Sequence, residues 1–289
     1  MTVRIKNDYL QAAISEKGAE LTSLKANGIE YMWQADPAYW GRHAPILFPF
    51  VGRLKDDQYS YKGKTYPMSQ HGFARDEMFE VTEQTDEKVV LTLKSNEKTK
   101  EIYPFDFLLS VSYEVWGEGL RVRFKVDNTG DEEMLFALGG HPAFNVPLEE
   151  NLSFEDYFFS FSPQKSRVKI PLEGPFANLD QKTIGQTNTN IRISHDLFQN
   201  DALIFETKGL NTFTISAEDS PHSVTLSYNH IPYVGFWSPY PKESPFVCIE
   251  PWWGFADPVD STGKLEEKPG MNQLAPGEQF KTQFSINVR

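Results

Sequence analysis

The sequence predicts an all-β protein, a large antiparallel β-sandwich or distorted barrel that occupies residues 1–289 as a single domain. Short runs of alternating apolar and polar residues recur along the chain, as in strands with one buried face. Glycine-containing turns separate them, including the hairpin pair Asn27-Gly28. No sustained helical periodicity occurs beyond possible turns near 97–99 and 194–198, and no linker or repeat divides the chain.

The first half of the chain reads as strands and hairpins. Residues 120–126 alternate strictly between apolar and charged side chains, which indicates one dry and one wet face. Lys62-Gly63 marks the tip of a hairpin at 58–66. The other predicted strands are residues 9–14, 19–24, 30–33, 79–82, 89–95 and 107–115.

The second half repeats this pattern and ends in a long alternating run at residues 280–288. One stretch differs, because residues 245–258 are apolar on both faces. The remaining predicted strands are residues 134–138, 158–162, 202–206, 212–216, 224–228 and 234–237.

The composition restricts the partners. The 289 residues are 39% hydrophobic and 14% aromatic, ample for a sizeable core. Lys and Arg number 28 against 40 Asp and Glu, so the formal net charge is −12, with a pI near 5.0. Affinity for nucleic acids and anionic membranes comes from clustered basic residues. We therefore expect neither as a partner.

The single cysteine, Cys248, cannot form an intrachain disulfide, which suits a reducing compartment. The N-terminus lacks a signal-peptide core, and no run approaches the ~18–20 apolar residues of a membrane helix. We expect a cytoplasmic protein, monomeric or homodimeric. Motifs for zinc, calcium, nucleotide phosphates and a serine nucleophile are absent, so we expect neither a metal nor a cofactor.

The apolar stretch 245–258 predicts a buried strand that contains one carboxylate, Glu250. An ionised carboxylate is costly to bury without partners. Glu250 is therefore either paired with an arginine or a functional base whose pKa is raised. Trp252 and Trp253 follow directly, and their flat rings are suited either to holding a sugar or to filling a core.

A histidine follows the predicted strand at 134–138. Gly139 and Gly140 let the backbone bend before His141, and Pro142 fixes the position that follows His141. A histidine near apolar residues is commonly a hydrogen-bonded core residue. The rigid Gly-Gly-His-Pro corner favours a functional group instead.

Two further stretches place cationic side chains at glycine turns. Arg53 follows Gly52, a position typical of a solvated turn residue. His71 and Arg75 lie four residues apart around Gly72, in a turn that either directs both side chains at one ligand or is a structural loop. The planar guanidinium of an arginine donates paired hydrogen bonds to two oxygens.

These four motifs, in this order and spacing, resemble the aldose 1-epimerase (galactose mutarotase) superfamily, and within it the galactose-mutarotase-related, LacX-like branch. The resemblance spans most of the chain and implies a galactose mutarotase-like supersandwich with a sugar cleft on one face. Its motifs are Gly52-Arg53, H-G-F-A-R at 71–75, G-H-P-A-F at 140–144 and C-I-E-P-W at 248–252.

The resemblance also implies roles for individual residues. Glu250 corresponds to the general base of the family and His141 to its general acid. His71 resembles a sugar-contacting histidine, and Arg53 resembles the arginine near the substrate hydroxyls. Asp201 is the candidate for the sugar-binding aspartate of the family.

Other positions concern the choice of sugar. Arg75 resembles an arginine near the phosphate site of the hexose-6-phosphate epimerase branch, and Trp252 is a candidate sugar platform. The mutarotases proper carry a second arginine in Gly-Arg-x-x-Asn-Arg, where this chain has L-K-D-D at residues 54–57, and Glu-Thr-Gln where it has Glu250-Pro251-Trp252. The expected partner is therefore a small-molecule sugar, either a free hexose or a hexose phosphate.

We expect an isomerase that interconverts α and β anomers by acid/base ring opening. Glu250 takes the proton of the C1 hydroxyl while His141, kept charged by a modestly raised pKa, protonates the ring oxygen. The alternatives are a hexose-6-phosphate 1-epimerase, a non-catalytic carbohydrate-binding protein, and a glycosidase that uses Glu250 and Asp257 as its two carboxylates.

Overall fold

The computed structural model describes residues 1–289. The chain begins with a four-stranded antiparallel sheet whose order is the chain order, and the predicted Asn27-Gly28 turn joins its last two strands with both residues at positive φ. The first strand is absent from the prediction because its alternation spans only five residues. The four strands are β1 at Thr2–Lys6, β2 at Leu10–Ser15, β3 at Leu21–Ala26 and β4 at Ile29–Glu30.

The next part of the chain contains the one α-helix, α1, which begins after an Asn96 cap whose side chain accepts from the amides of Lys98 and Thr99. No helix of the structure has both the length and the apolar composition needed to span a membrane. The elements are β5 Ile46–Leu47, β6 Gln58–Tyr61, β7 Lys64–Pro67, β8 Glu80–Gln84, β9 Lys88–Lys94, α1 Glu97–Ile102, β10 Phe107–Trp116, β11 Gly119–Asn128, β12 Met134–Phe136, β13 Leu138–Gly140 and β14 Ala143–Asn145.

The rest of the chain alternates long strands with very short ones. Six 3₁₀ turns occur in the whole chain, at Lys55–Asp57, Ala74–Asp76, Phe154–Asp156, Leu179–Gln181, His195–Phe198 and Leu265–Glu267. The strands are β15 Tyr157–Ser162, β16 Arg167–Ile170, β17 Leu172–Glu173, β18 Phe176–Ala177, β19 Thr183–Gly185, β20 Ile191–Arg192, β21 Leu203–Glu206, β22 Leu210–Ala217, β23 Ser223–Asn229, β24 Tyr233–Trp237, β25 Phe246–Trp253, β26 Asn272–Leu274 and β27 Gln279–Val288.

Two large antiparallel sheets form the body of the protein. One has the order β20-β15-β22-β23-β27-β11-β10-β9-β8; the other has the order β19-β16-β21-β24-β25-β13-β5, with β14 also paired to β25. Their inner faces interdigitate, with the rings of Phe124 and Trp253 6.0 Å apart and those of Phe159 and Phe236 4.8 Å apart. The predicted antiparallel β-sandwich is confirmed.

Strand β25 positions the candidate site. All eight of its residues are buried, as the apolar sequence predicts. Val247, Ile249 and Trp253 belong to the core between the two sheets. Because strand side chains alternate, the even-numbered residues point to the opposite face. Glu250 therefore lies on the outer face of its sheet, where loops cover it.

Candidate active site

Glu250 occupies the centre of that outer face. Its partner on β24 is Gly235, where a Cβ would lie 2.8 Å from the indole of Trp252, so glycine leaves room for this ring beside the carboxylate. The Glu250 side chain is 1% exposed, and the one ion-pair partner near it is His141. The alternative of an arginine-paired glutamate is therefore wrong.

The Gly-Gly-His-Pro corner brings His141 to this carboxylate. Strands β13 and β14 both pair with β25, one on each side of the corner. His141 Nε2 lies 3.1 Å from Glu250 Oε2. The imidazole stacks on Trp40 with ring centroids 4.9 Å apart, and the edge of Trp237 approaches it at 5.6 Å. Two residues distant in sequence thus form a direct pair.

The pKa of Glu250 is raised well above its ordinary value, as the sequence predicts. Burial is the main cause, and the nearby carboxylate of Asp201 adds to it, while the Trp252 side chain acts in the opposite direction. Burial therefore favours the protonated form of this carboxyl over the ionised form.

Burial lowers the pKa of His141 to about 3, and Arg75 and Arg42 contribute in the same direction. The expectation of a permanently charged His141 with a raised pKa is therefore wrong. The sequence does not reveal the aromatic rings that cover the imidazole and remove the water that a cation needs. Burial thus favours the uncharged forms of both Glu250 and His141 and opposes an ion pair between them.

His71 lies beside His141, with ring centroids 5.6 Å apart, and its backbone is in the left-handed region with φ of 68°. Its Nδ1 accepts a hydrogen bond of 3.0 Å from the backbone N–H of Gly52, so the proton of the neutral ring lies on Nε2. Burial, with His141 and Arg75 adding to it, holds the pKa of His71 well below its ordinary value. His71 is thus a neutral side chain with its proton on Nε2, and this atom lies 3.3 Å from the side-chain amide of Gln70.

The two arginines predicted for the site have different environments. The Arg53 side chain is 45% exposed, and its Nη2 donates to Gln70 Oε1 at 3.3 Å. The Arg75 side chain is only 16% exposed and donates from Nη2 to the Gln70 carbonyl, while its buried Nε has no acceptor. Burial, reinforced by Arg42, lowers the pKa of Arg75 to about 10.

Asp201 faces the pair from a loop before β21. It has a positive φ of 67°, and its Oδ1 accepts from the Ala202 amide at 2.8 Å. Burial raises the pKa of its carboxyl, while hydrogen bonds from the Ala202 amide and the Trp237 side chain act in the opposite direction. The side chain remains open to the space in front of Glu250.

These seven predicted residues line one cavity of about 690 Å³. Trp252 contributes to its wall and packs in a second apolar cluster, while Trp253 belongs to the core between the sheets. The predicted residues along this cavity are Arg53, His71, Arg75, His141, Asp201, Glu250 and Trp252.

Four further lining residues are absent from the sequence prediction. Trp40, Trp237 and Tyr240 bring aromatic rings to the cavity, and Gln70 lies between the two arginines. Trp40 comes from the irregular aromatic segment after residue 37, which is a usable signal. Tyr240 lies in S-P-Y-P, a turn-like segment whose position over the cavity only the fold reveals.

Asp257 does not reach this cavity, which contradicts the glycosidase alternative. Its carboxyl is buried and paired with Lys268 Nζ at 2.8 Å, and its second oxygen accepts from the Lys55 amide at 2.9 Å. An inverting or retaining glycosidase needs both carboxyls at the scissile bond. Asp257 is instead a structural carboxylate behind the site.

One group of side chains has donors close enough to share a metal ion. The donor atoms of His141, Cys248 and Glu250 lie within 4.8 Å of one another, and all three side chains are buried. Burial and the neighbouring Glu250 raise the pKa of the Cys248 thiol well above its ordinary value. This opposes the thiolate that metal ligation requires.

The chain is similar in sequence to a known protein family. The family model described as Aldose 1-epimerase matches residues 1–286. The chain is 33% identical over 299 aligned residues to protein LacX, plasmid form, of Lactococcus lactis subsp. lactis, with 100% of this chain and 99% of LacX covered.

Solved structures show the same fold. A galactose mutarotase related enzyme from Lactobacillus acidophilus is 44% identical and superposes with a TM-score of 0.99, over 100% of this chain and 97% of that chain. A galactose mutarotase-like protein from Lactobacillus casei ATCC 334 is 35% identical, with a TM-score of 0.92 and full coverage of both chains.

Proposed function

The chain belongs to the aldose 1-epimerase family, in the branch of LacX and the galactose mutarotase-like proteins, and we propose that it interconverts the α and β anomers of a hexose. The observation that carries this proposal is the 3.1 Å contact between His141 Nε2 and Glu250 Oε2 in the wall of a 690 Å³ cavity. Opening a hemiacetal needs one proton removed from the C1 hydroxyl and one added to the ring oxygen. A pair that holds one proton meets both needs.

In the proposed reaction, Glu250 is the base and His141 the acid. The resting proton moves from the Glu250 carboxyl to His141 across their contact, with no net uptake from solvent. Glu250 then accepts the C1 hydroxyl proton while His141 protonates the ring oxygen, and the C1–O5 bond breaks to leave an open-chain aldehyde. Rotation about C1–C2 and closure with the roles reversed give the other anomer.

The neighbouring groups support binding of a neutral, hydroxyl-rich ligand. His71 Nε2–H is a fixed donor, Arg53 presents a half-exposed guanidinium, and Asp201 presents carboxylate oxygens that accept from hydroxyls. Trp40 and Trp237 exclude water from His141. Such a mixture of flat aromatic surfaces and convergent polar groups is typical of small-molecule sites.

The function is tested by exchange NMR or polarimetry on freshly dissolved α-anomers of free and phosphorylated hexoses. We expect exchange above the spontaneous rate with at least one free hexose. Binding of sugars by NMR titration without any catalysed exchange would support the non-catalytic carbohydrate-binding alternative and contradict the proposed activity.

The pH dependence of kcat/KM follows from the two displaced pKa values. The one-proton pair persists down to about pH 3, where His141 gains a proton. It is lost as the pH rises through the raised pKa of Glu250. Because Asp201 has a raised pKa and also titrates on the acid side, the comparison is made in Asp201→Asn, for which we expect kcat/KM at pH 4 to equal that at pH 5 after subtraction of the spontaneous reaction. A loss of activity on the acid side with a midpoint near the ordinary glutamate pKa of ~4.3 would contradict this assignment.

A hexose 6-phosphate is the second candidate substrate. The observation that favours it is the Arg75 guanidinium, which is mostly buried in the cavity wall and whose Nε has no hydrogen-bond acceptor. Burial and the nearby charge of Arg42 lower its pKa. Asp76 contacts both arginines at the surface but lies 3.8 Å from Arg75 Nε. A phosphate oxygen would supply the acceptor that this Nε lacks.

Substitution of Arg75 distinguishes the two substrates. If the phosphate is bound here, Arg75→Ala lowers kcat/KM for glucose 6-phosphate by about 10–100-fold, the value of a charged hydrogen bond, and changes kcat/KM for glucose by less than threefold. Arg75→Lys retains the charge and serves as the matched control. Equal losses for both sugars in Arg75→Ala would contradict a phosphate contact.

A further inference from the structure

A buried ion pair lies behind the site, outside the cavity. Lys268 and Asp257 side chains are each 3% exposed and meet at 2.8 Å. Lys268 Nζ also donates to the Phe255 carbonyl at 3.0 Å. Replacing such a buried pair by apolar side chains is often neutral or stabilising, so stability alone is a weak reason for its presence.

Asp257 uses all of its polar atoms to hold neighbouring segments. Its Oδ2 accepts from the Lys55 amide at 2.9 Å, and its own amide donates to the Arg53 carbonyl at 2.9 Å. Its carbonyl accepts from Ala177 at 2.9 Å, at the end of the β17–β18 hairpin. The turn at residues 53–55 is thus held by backbone contacts to one carboxylate residue.

The same turn holds His71 from its other side. Gly52 donates to His71 Nδ1 at 3.0 Å, and its carbonyl accepts from the His71 amide at 2.9 Å. A Cβ at Gly52 would lie 2.5 Å from the Cβ of Ala256, so Gly52 lies directly against the segment that carries Asp257. Residues 52–55 therefore connect the buried ion pair to His71.

We propose that the Asp257–Lys268 pair is a positioning device for the sugar-contacting side of the site. It fixes the backbone of residues 52–55, and so places Arg53 and keeps the proton of His71 on Nε2. The positioning contact is the one that Asp257 Oδ2 accepts from the Lys55 amide, and Lys268 supplies the counter-charge that a buried carboxylate requires. The sugar-contacting roles of Arg53 and His71 rest on the proposed function; the placement of the His71 proton does not.

Two charge-neutral double variants test this device. Asp257→Asn/Lys268→Met removes both charges and retains an acceptor for the Lys55 amide, whereas Asp257→Leu/Lys268→Met also removes the acceptor. We expect ¹⁵N imidazole NMR spectra of the Asn/Met variant to match the wild type. In the Leu/Met variant we expect the His71 nitrogens to show a mixture of tautomers. We also expect the dissociation constant of this variant to rise about three- to tenfold for the hexose that the wild type turns over. Its kcat should stay within twofold of the wild-type value.

A third variant deletes the key hydrogen bond without substituting the buried pair. Lys55 is exposed and follows an extended Leu54 with φ −92° and ψ 150°, the conformation that a residue before proline favours. Lys55→Pro replaces the amide hydrogen by a ring carbon, so this position can no longer donate to Asp257 Oδ2 and pushes that oxygen away from the turn. Lys55→Ala keeps the amide and is its matched control. We expect Lys55→Pro to shift the His71 nitrogens and Lys55→Ala to leave them unchanged.

The outcomes separate positioning from bulk stability. Wild-type His71 spectra in both Lys55→Pro and the Leu/Met variant, with any change confined to the melting temperature, would overturn the proposal. Should the Leu/Met variant fail to fold, Lys55→Pro decides alone. If the wild type turns over no hexose, the proposed function fails, yet the His71 spectra still test the positioning device.

Discussion

Replacing Glu250 by glutamine is expected to slow catalysed anomer interconversion by about 10²–10⁴-fold, the usual contribution of one positioned general acid or base. Glutamine has the shape of the carboxyl group and the same neighbours on β25, but it can neither hold nor accept the shared proton. His141→Asn removes the other member of the pair and is expected to have an effect of the same size. Both rates are measurable by exchange NMR with the hexose that the wild type turns over.

The two substitutions are not expected to add. Since Glu250 and His141 share one proton, loss of either leaves the other without a partner, and the double variant should be no slower than the slower single variant. Sugar affinity should change little in Glu250→Gln. Cys248→Ala is the matched control: it changes the neighbouring residue of the same strand face, outside the cavity, and should retain the wild-type rate. Wild-type exchange in either single variant would show that the pair does not carry the reaction.

The pair was predictable because each member breaks a strong local pattern. Glu250 interrupts a stretch that is apolar on both faces, and His141 occupies a Gly-Gly-His-Pro corner. The long alternating strands, such as β10, β11 and β27, were predictable for the related reason that their periodicity spans ten residues. The sandwich class follows from these strands and from the lack of helical patterns.

What the sequence did not reveal depends on contacts between distant segments. Trp40, from the loop before β5, and Trp237, at the end of β24, enclose His141, and this burial lowers its pKa rather than raising it. Strands β16–β20 have only two to four residues each, too few for a period to be read. The role of Asp257 likewise depends on Lys268 and on the turn at residues 53–55, which the chain order does not connect.

Gly72→Ala is expected to destabilise the protein by about 2–5 kcal/mol, through two separate causes. The backbone at Gly72 has a φ of 74°, where a side chain costs about 1–2 kcal/mol. A Cβ there would also lie 2.2 Å from the Phe48 carbonyl oxygen and 2.5 Å from its carbon. These are backbone atoms that cannot move aside cheaply, and overpacking of this kind costs about 1–3 kcal/mol more.

Gly63→Ala isolates the conformational part of that cost, so the difference between the two variants gives the steric part. Gly63 has a φ of 77°, and a Cβ there would meet no atom within 4 Å, so only the conformational cost of about 1–2 kcal/mol applies. Urea unfolding of both variants measures the difference, and equal losses would contradict the close approach to Phe48. Gly72 follows His71 in the same left-handed turn, so Gly72→Ala should also displace the His71 ring and weaken sugar binding. Gly63 lies at the tip of the β6–β7 hairpin, so Gly63→Ala should leave sugar binding unchanged. The tight turn against Phe48 thus links the stability of the fold to the position of His71, the proposed sugar-contacting donor.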